Sequence, residues 1–95
     1  MLVPLRGAKT SSPGATATFS YTGNAVALIT DRAANRGVFD VYLDGRYMAT
    51  VSGYLASGTQ NLYISWVNYK VTRATHFLKV VAKSGRVDVD AILVS

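Results

Sequence analysis

Two runs of β-branched and aromatic residues meet at Asp44-Gly45 in "VFDVYLDGRYMATV", residues 38–51. An Asp-Gly pair accepts the positive φ angles of a type I′ turn, and the twist of that turn matches the strands on either side of it. The spacing predicts a two-residue β-hairpin with Phe39, Val41 and Leu43 on its buried face.

The rest of the chain is punctuated in the same way. In "ATATFSY" (residues 15–21), Ala17, Phe19 and Tyr21 share one face. "AVALIT" (25–30) is a continuous apolar run, which is expected of a central strand or one buried on both faces. "DRAANRG" (31–37) reads as a polar loop. "QNLYISWV" (60–67) alternates, with Leu62, Ile64 and Trp66 on one face and Tyr63, Ser65 and Val67 on the other. "HFLKVVAK" (76–83) and "RVDVDAILV" (86–94) are strands, and Ser84-Gly85 is expected to close them into a second hairpin. No window keeps apolar residues at helical spacing. The chain also has no glutamate, a residue that helices favour and strands do not. The expectation is an all-β, two-sheet antiparallel β-sandwich of the jelly-roll type, with about seven strands, forming one domain across residues 1–95.

Composition narrows the functions open to such a fold. Apolar residues make up 49% of the 95, and charged ones 16%, which excludes a disordered chain. No apolar run approaches the ~18 residues of a membrane span. The N-terminal "MLVPLRGAK" lacks the pattern of a signal peptide. There is no cysteine, so disulfides and thiolate metal sites are excluded. Ten Lys and Arg stand against five acids, all Asp, for a net charge of +5. That charge attracts polyanions. The basic residues are scattered, however, and nothing resembles a recognition helix or basic arm, so nucleic acid is not an expected partner.

Few residues carry chemistry. Asp88 and Asp90 form an Asp-x-Asp, a weak candidate for a metal such as a structural calcium. Val87, Val89, Ala91 and Leu93 alternate with them, which is the pattern of a strand with one face on a core. The strand reading is preferred, with Arg86, Lys79 or Lys83 as partners for the carboxylates across the hairpin. No metal or other cofactor is assigned, with structural calcium kept as the exception. "DVYLDG" (40–45) lacks the further oxygens of a calcium loop, and the turn explains its second Asp. His76 is the single histidine and has no nucleophile elbow or cysteine to serve, so a local hydrogen bond is its expected role. The chain is rich in tyrosine, with six, and has one tryptophan. Aromatic rings stack on the C–H faces of sugars while polar neighbours meet the hydroxyls. Tyr47, Tyr54, Trp66 and Tyr69 lie in or beside predicted loops, and Arg32, Asn35 and Arg36 are polar residues of the right type. Trp66 has a competing place in the core.

Taken in order, "GATATFSYTGNAVALI", "RGVFDVYLDGRYMATV", "THFLKVV" and "RVDVDAILV" resemble bacterial galactose-binding-like jelly-roll carbohydrate-binding modules. The resemblance runs from about Arg6 to the C-terminus. It implies a non-catalytic accessory module, of the kind found beside carbohydrate-active, cell-surface and phage proteins. Two departures stand out. Only "MLVPL" occupies the place of the family's Trp-bearing first strand, which leaves an edge to be filled, and "TDRAANRG" replaces a glycine–proline-rich loop.

The leading expectation is therefore a module that is not an enzyme and binds a glycan or cell-wall polymer through Tyr54, Trp66, Tyr69, Arg32, Asn35 and Arg36. The alternative is a phage virion structural protein, a tail or capsid component docked on neighbouring assembly subunits. Either role places the chain outside a cell or on a virion surface.

Overall fold

The structure is a computed structural model that describes residues 2–4, 9–10, 16–69, 72–85 and 87–95. Two antiparallel sheets face each other. The first contains β1 (Leu2–Pro4), β9 (Val87–Val94), β4 (Val26–Ala33) and β7 (Thr59–Asn68) in that order, and β2 (Lys9–Thr10) also pairs with β9. The second has the order β3 (Thr16–Gly23), β8 (Ala74–Ser84), β5 (Val38–Leu43) and β6 (Arg46–Ser52). No helix occurs among the described residues. The sandwich and all seven expected strands are present, with β1 and β2 in addition.

Local sequence accounts for most elements. The β5–β6 turn is type I′, with φ 52° at Asp44 and 80° at Gly45. It points Phe39, Val41 and Leu43 into the core. "AVALIT" lies in the centre of the first sheet, between β9 and β7, and is buried from Val26 to Thr30. Phe39, Leu28, Leu78, Ile92, Val26, Val41 and Val80 are the largest fully buried apolar side chains. Each stabilises the fold by about 1.5–3 kcal/mol relative to exposure.

Several expectations differ from the structure, among them the polar loop at 31–37, whose first three residues continue β4 to Ala33. Ser84-Gly85 does not close a hairpin, because β8 and β9 belong to different sheets. β8 pairs as far as Ser84 with Val38, and the chain then crosses between sheets at Gly85, where φ is 67°. Lys79 and Lys83 consequently lie on the other sheet from Asp88 and Asp90, and Lys83 Nζ is 3.9 Å from Asp40. Arg86 and the side chains of Asp88 and Asp90 are outside the described parts of the molecule.

Strict alternation fails on both strands beside β4. Leu28 pairs with Trp66 and Ile29 with Ile64, so Ser65 is a bulge. Its hydroxyl lies 2.7 Å from the Thr30 hydroxyl and donates to the Leu28 carbonyl at 3.3 Å. One extra residue reverses the facing. Trp66 packs against the core, whereas Ile64 is 52% exposed. On the other side, Ile29 pairs with Ala91 and Thr30 with Val89, leaving Asp90 unopposed. The core residues of β9 are Val87, Val89, Ile92 and Val94, and Leu93 faces outward, 43% exposed.

The edge expected to be missing is filled. Leu2–Pro4 pairs with Leu93–Ala91 along β9. Proline suits an edge strand, where its lack of an N–H costs no ladder hydrogen bond.

Candidate functional site

The strand register sorts the expected binding residues between the two ends of the sandwich. Ala33 closes β4 opposite Thr59, the first residue of β7, and also bridges Tyr54. The turn of residues 34–37 and the connection 53–58 meet there. Ala33 N–H donates to the Gly53 carbonyl at 3.1 Å, Gly53 N–H to Gly37 at 2.9 Å and Leu55 N–H to Ala33 at 3.1 Å. Arg32, Asn35, Arg36 and Tyr54 thus come to one end. Tyr69 follows Asn68, which pairs with Val26 at the other end of β7. Ten residues of strand separate the two ends, roughly 30 Å at the usual rise. Tyr54 (54% exposed) and Tyr69 (70% exposed) are therefore not parts of one site. Trp66 lies toward the Tyr69 end and packs on the core.

At the Tyr54 end, each guanidinium is already oriented. Arg32 lies over the Tyr63 ring, 4.4 Å from its centroid, and Nη1 donates to Gln60 Oε1 at 3.2 Å. Arg36 Nη1 donates to Asn35 Oδ1 at 2.5 Å, and Nη2 lies 3.9 Å from Asp31 Oδ2. A planar cation stacked on a ring and tethered at one nitrogen loses little side-chain freedom when it meets a ligand oxygen. Tyr63 and Gln60 belong to this group and are absent from the expected set. The register Thr30–Tyr63 and Arg32–Gln60 that brings them in passes through irregular pairing on β4, so local spacing does not reveal it.

His76 takes the local role expected of it. Nδ1 faces Asp44 Oδ2 at 2.6 Å and Nε2 faces the Thr72 carbonyl at 2.7 Å. A carboxylate is in place as in a hydrolytic triad, but the second nitrogen meets a carbonyl, which is no nucleophile.

The described residues contain no group of three or more His, Cys, Asp or Glu suited to a metal. Asp31 faces Arg36, Asp40 faces Thr50 and Lys83, and Asp44 faces His76 and the Phe77 amide. These carboxylates do not fit a calcium site.

No protein-family model matches the chain. Its sequence is 33% identical over 82 residues to the A type blood α-D-galactosamine galactosaminidase of Flavonifractor plautii, covering 85% of this chain and 7% of that enzyme. In fold it is similar to a family two carbohydrate esterase from Clostridium thermocellum, solved as an active site mutant, with a TM-score of 0.67 and 14% identity over 92% of this chain and 26% of that one. It is also similar to the CBM36-1 domain of a multidomain xylanase from the hindgut metagenome of Trinervitermes trinervoides, at TM-score 0.60 and 10% identity, covering 97% and 82% of the two chains. A CBM36 carbohydrate-binding module in complex with calcium and xylotriose gives TM-score 0.58 and 11% identity over 100% and 88%. The fold is that of jelly-roll carbohydrate-binding modules. The chain spans only a small part of the galactosaminidase and about a quarter of the esterase.

Proposed function

We propose that the chain is a non-catalytic module that binds a glycan at its Tyr54 end, outside the cell. The observation that carries the reading is Arg32 held over the Tyr63 ring and tied to Gln60, at the same end as Asn35, Arg36 and the half-exposed Tyr54. This supplies donors and acceptors for sugar hydroxyls and a ring for a sugar face. Similarity to part of a galactosaminidase, and in fold to modules solved with xylotriose or joined to a xylanase, supports the same class of ligand. A glycan array with xylo-, cello- and galactosamine-terminated oligosaccharides and bacterial cell-wall polymer tests it. Retention of at least one class is expected; no retention across the panel overturns the reading.

The assembly alternative drew on an open edge, and β1 fills that edge. What supports it now is the +5 charge alone.

A further inference from the structure

The outer face of the second sheet carries an ordered set of groups to which neither the core nor the Tyr54 end lays claim. Two cross-strand rows define it. One contains Thr16, Val81, Asp40 and Thr50, and the next Thr18, Lys79, Tyr42 and Tyr47. On β3, β8 and β5 the two rows are two residues apart and share a face; on β6 Tyr47 and Thr50 are three apart across a register shift, and their hydroxyls meet on that same surface.

Its aromatic and polar parts are linked. Tyr42 and Tyr47 pack edge to face, with centroids 5.8 Å apart and planes at 72°. Tyr47 is half-exposed. Its hydroxyl lies 2.6 Å from that of Thr50, which donates to Asp40 Oδ1 at 2.5 Å. Asp40 Oδ2 is 3.9 Å from Lys83. Lys79 Nζ lies 4.6 Å from the Tyr42 ring centroid. Among the described residues no carboxylate forms an ion pair with Lys79, and Asp40 is already engaged by Thr50 and Lys83. The face therefore presents two cations against one carboxylate, on a chain of net charge +5.

We propose that this face is a second glycan-binding surface and takes an anionic polysaccharide. Lys79, steadied on Tyr42, meets the acid group of the sugar. Tyr47 offers its ring to the sugar's C–H face, and the Tyr47–Thr50–Asp40 chain meets its hydroxyls. Charge complementarity selects this occupant over a neutral glycan. The surface is separate from the Tyr54 end, so it stands or falls independently of the function proposed there.

Affinity electrophoresis in gels containing polygalacturonate, with the fully methyl-esterified polymer as the uncharged control, tests the assignment. Polygalacturonate is expected to retard the protein and the ester not. Lys79→Met, which keeps the stem on an outward face, is expected to weaken retardation about tenfold or more, as loss of a charge-assisted hydrogen bond does. Lys79→Arg should retain it, and Tyr47→Ala should lower it. Arg73→Ala, which removes a cation outside these rows, should leave it unchanged. Absent retardation, equal retardation by the ester, or equal losses in Arg73→Ala and Lys79→Met would overturn the proposal. Loss in Arg32→Ala with Lys79→Met unaffected would also overturn it, while leaving the Tyr54 end as the glycan site.

Discussion

The imidazole of His76 is held between two acceptors, with Nδ1 2.6 Å from the Asp44 carboxylate and Nε2 2.7 Å from the Thr72 carbonyl. Neither acceptor has a hydrogen to give at neutral pH, so the doubly protonated ring satisfies both. The Thr72 carbonyl and then the Asp44 carboxylate raise the His76 pKa, against the opposing effect of burial. The Phe77 amide, which donates to Asp44 Oδ1 at 2.8 Å, and then His76 lower the Asp44 pKa. The buried Tyr21 ring packs beside the imidazole at 5.6 Å. This ion pair ties the β5–β6 turn to the start of β8.

The signs of these shifts set how stability varies with pH. The His76 contribution to stability is fully present below its unfolded pKa of about 6.5 and is lost as pH rises through the higher folded value. The Asp44 contribution is present above its unfolded value near 4 and is lost as pH falls through the lower folded one. The melting temperature should therefore peak between about pH 4 and 6.5 and fall toward alkaline pH. His76→Gln should flatten the alkaline decline. A wild-type melting temperature that is level or rises from pH 6 to 9 contradicts this.

The Tyr21 hydroxyl is buried and has no hydrogen-bond partner among the described residues. Burial first, and the nearby Asp44 charge second, hold its pKa above the usual phenol value. Deleting an unsatisfied hydroxyl removes a desolvation penalty and no bond. Tyr21→Phe is expected to stabilise the protein by about 1 kcal/mol, read as a higher denaturant midpoint. A lower midpoint would show that the hydroxyl has a partner.

Gly37 packs against the point where the chain changes sheets. A methyl group there would overlap the Ser84 carbonyl, and the Gly85 Cα lies 2.7 Å from its position. Backbone cannot step aside as a side-chain tip does. Gly37→Ala should destabilise by about 1–3 kcal/mol or more, the usual cost of overpacking. An unchanged melting temperature would count against the crossing described here.

How far the sequence reveals this molecule depends on the range of the interaction. The β5–β6 hairpin is legible because Asp44-Gly45 dictates its own turn. β4 is legible as central because its apolar run is continuous. The bulges at Ser65 and Asp90 are not, because they exist only once both strands pair with β4, and each turns its neighbours to the opposite face. Ser84-Gly85 has the letters of a hairpin turn, yet β9 joins the other sheet, and the close packing of Gly37 on the crossing is a contact remote in sequence. The expected binding residues divide in the same way. Loop chemistry points to Arg32, Asn35, Arg36 and Tyr54, and these lie at one end of the sandwich. Tyr69 has the same chemistry but the wrong end of β7, and Tyr63 and Gln60 enter only through register.

Asp31, Asp40 and Asp44 are each engaged by protein groups, leaving Asp88 and Asp90 as the remaining acids. Two carboxylates supply too few oxygens for calcium on their own. Chelator is expected to leave the melting temperature unchanged. A drop that added calcium reverses would assign an ion to Asp88 and Asp90.

The proposed function rests on glycan binding at the Tyr54 end. Isothermal titration with the oligosaccharide that the array selects tests this by comparing wild type with Arg32→Ala/Tyr54→Ala and with Tyr69→Ala. The double variant should lose affinity at least about tenfold, or about 1.4 kcal/mol, while Tyr69→Ala binds as wild type. Equal affinity in the double variant, or a loss confined to Tyr69→Ala, would contradict the claim.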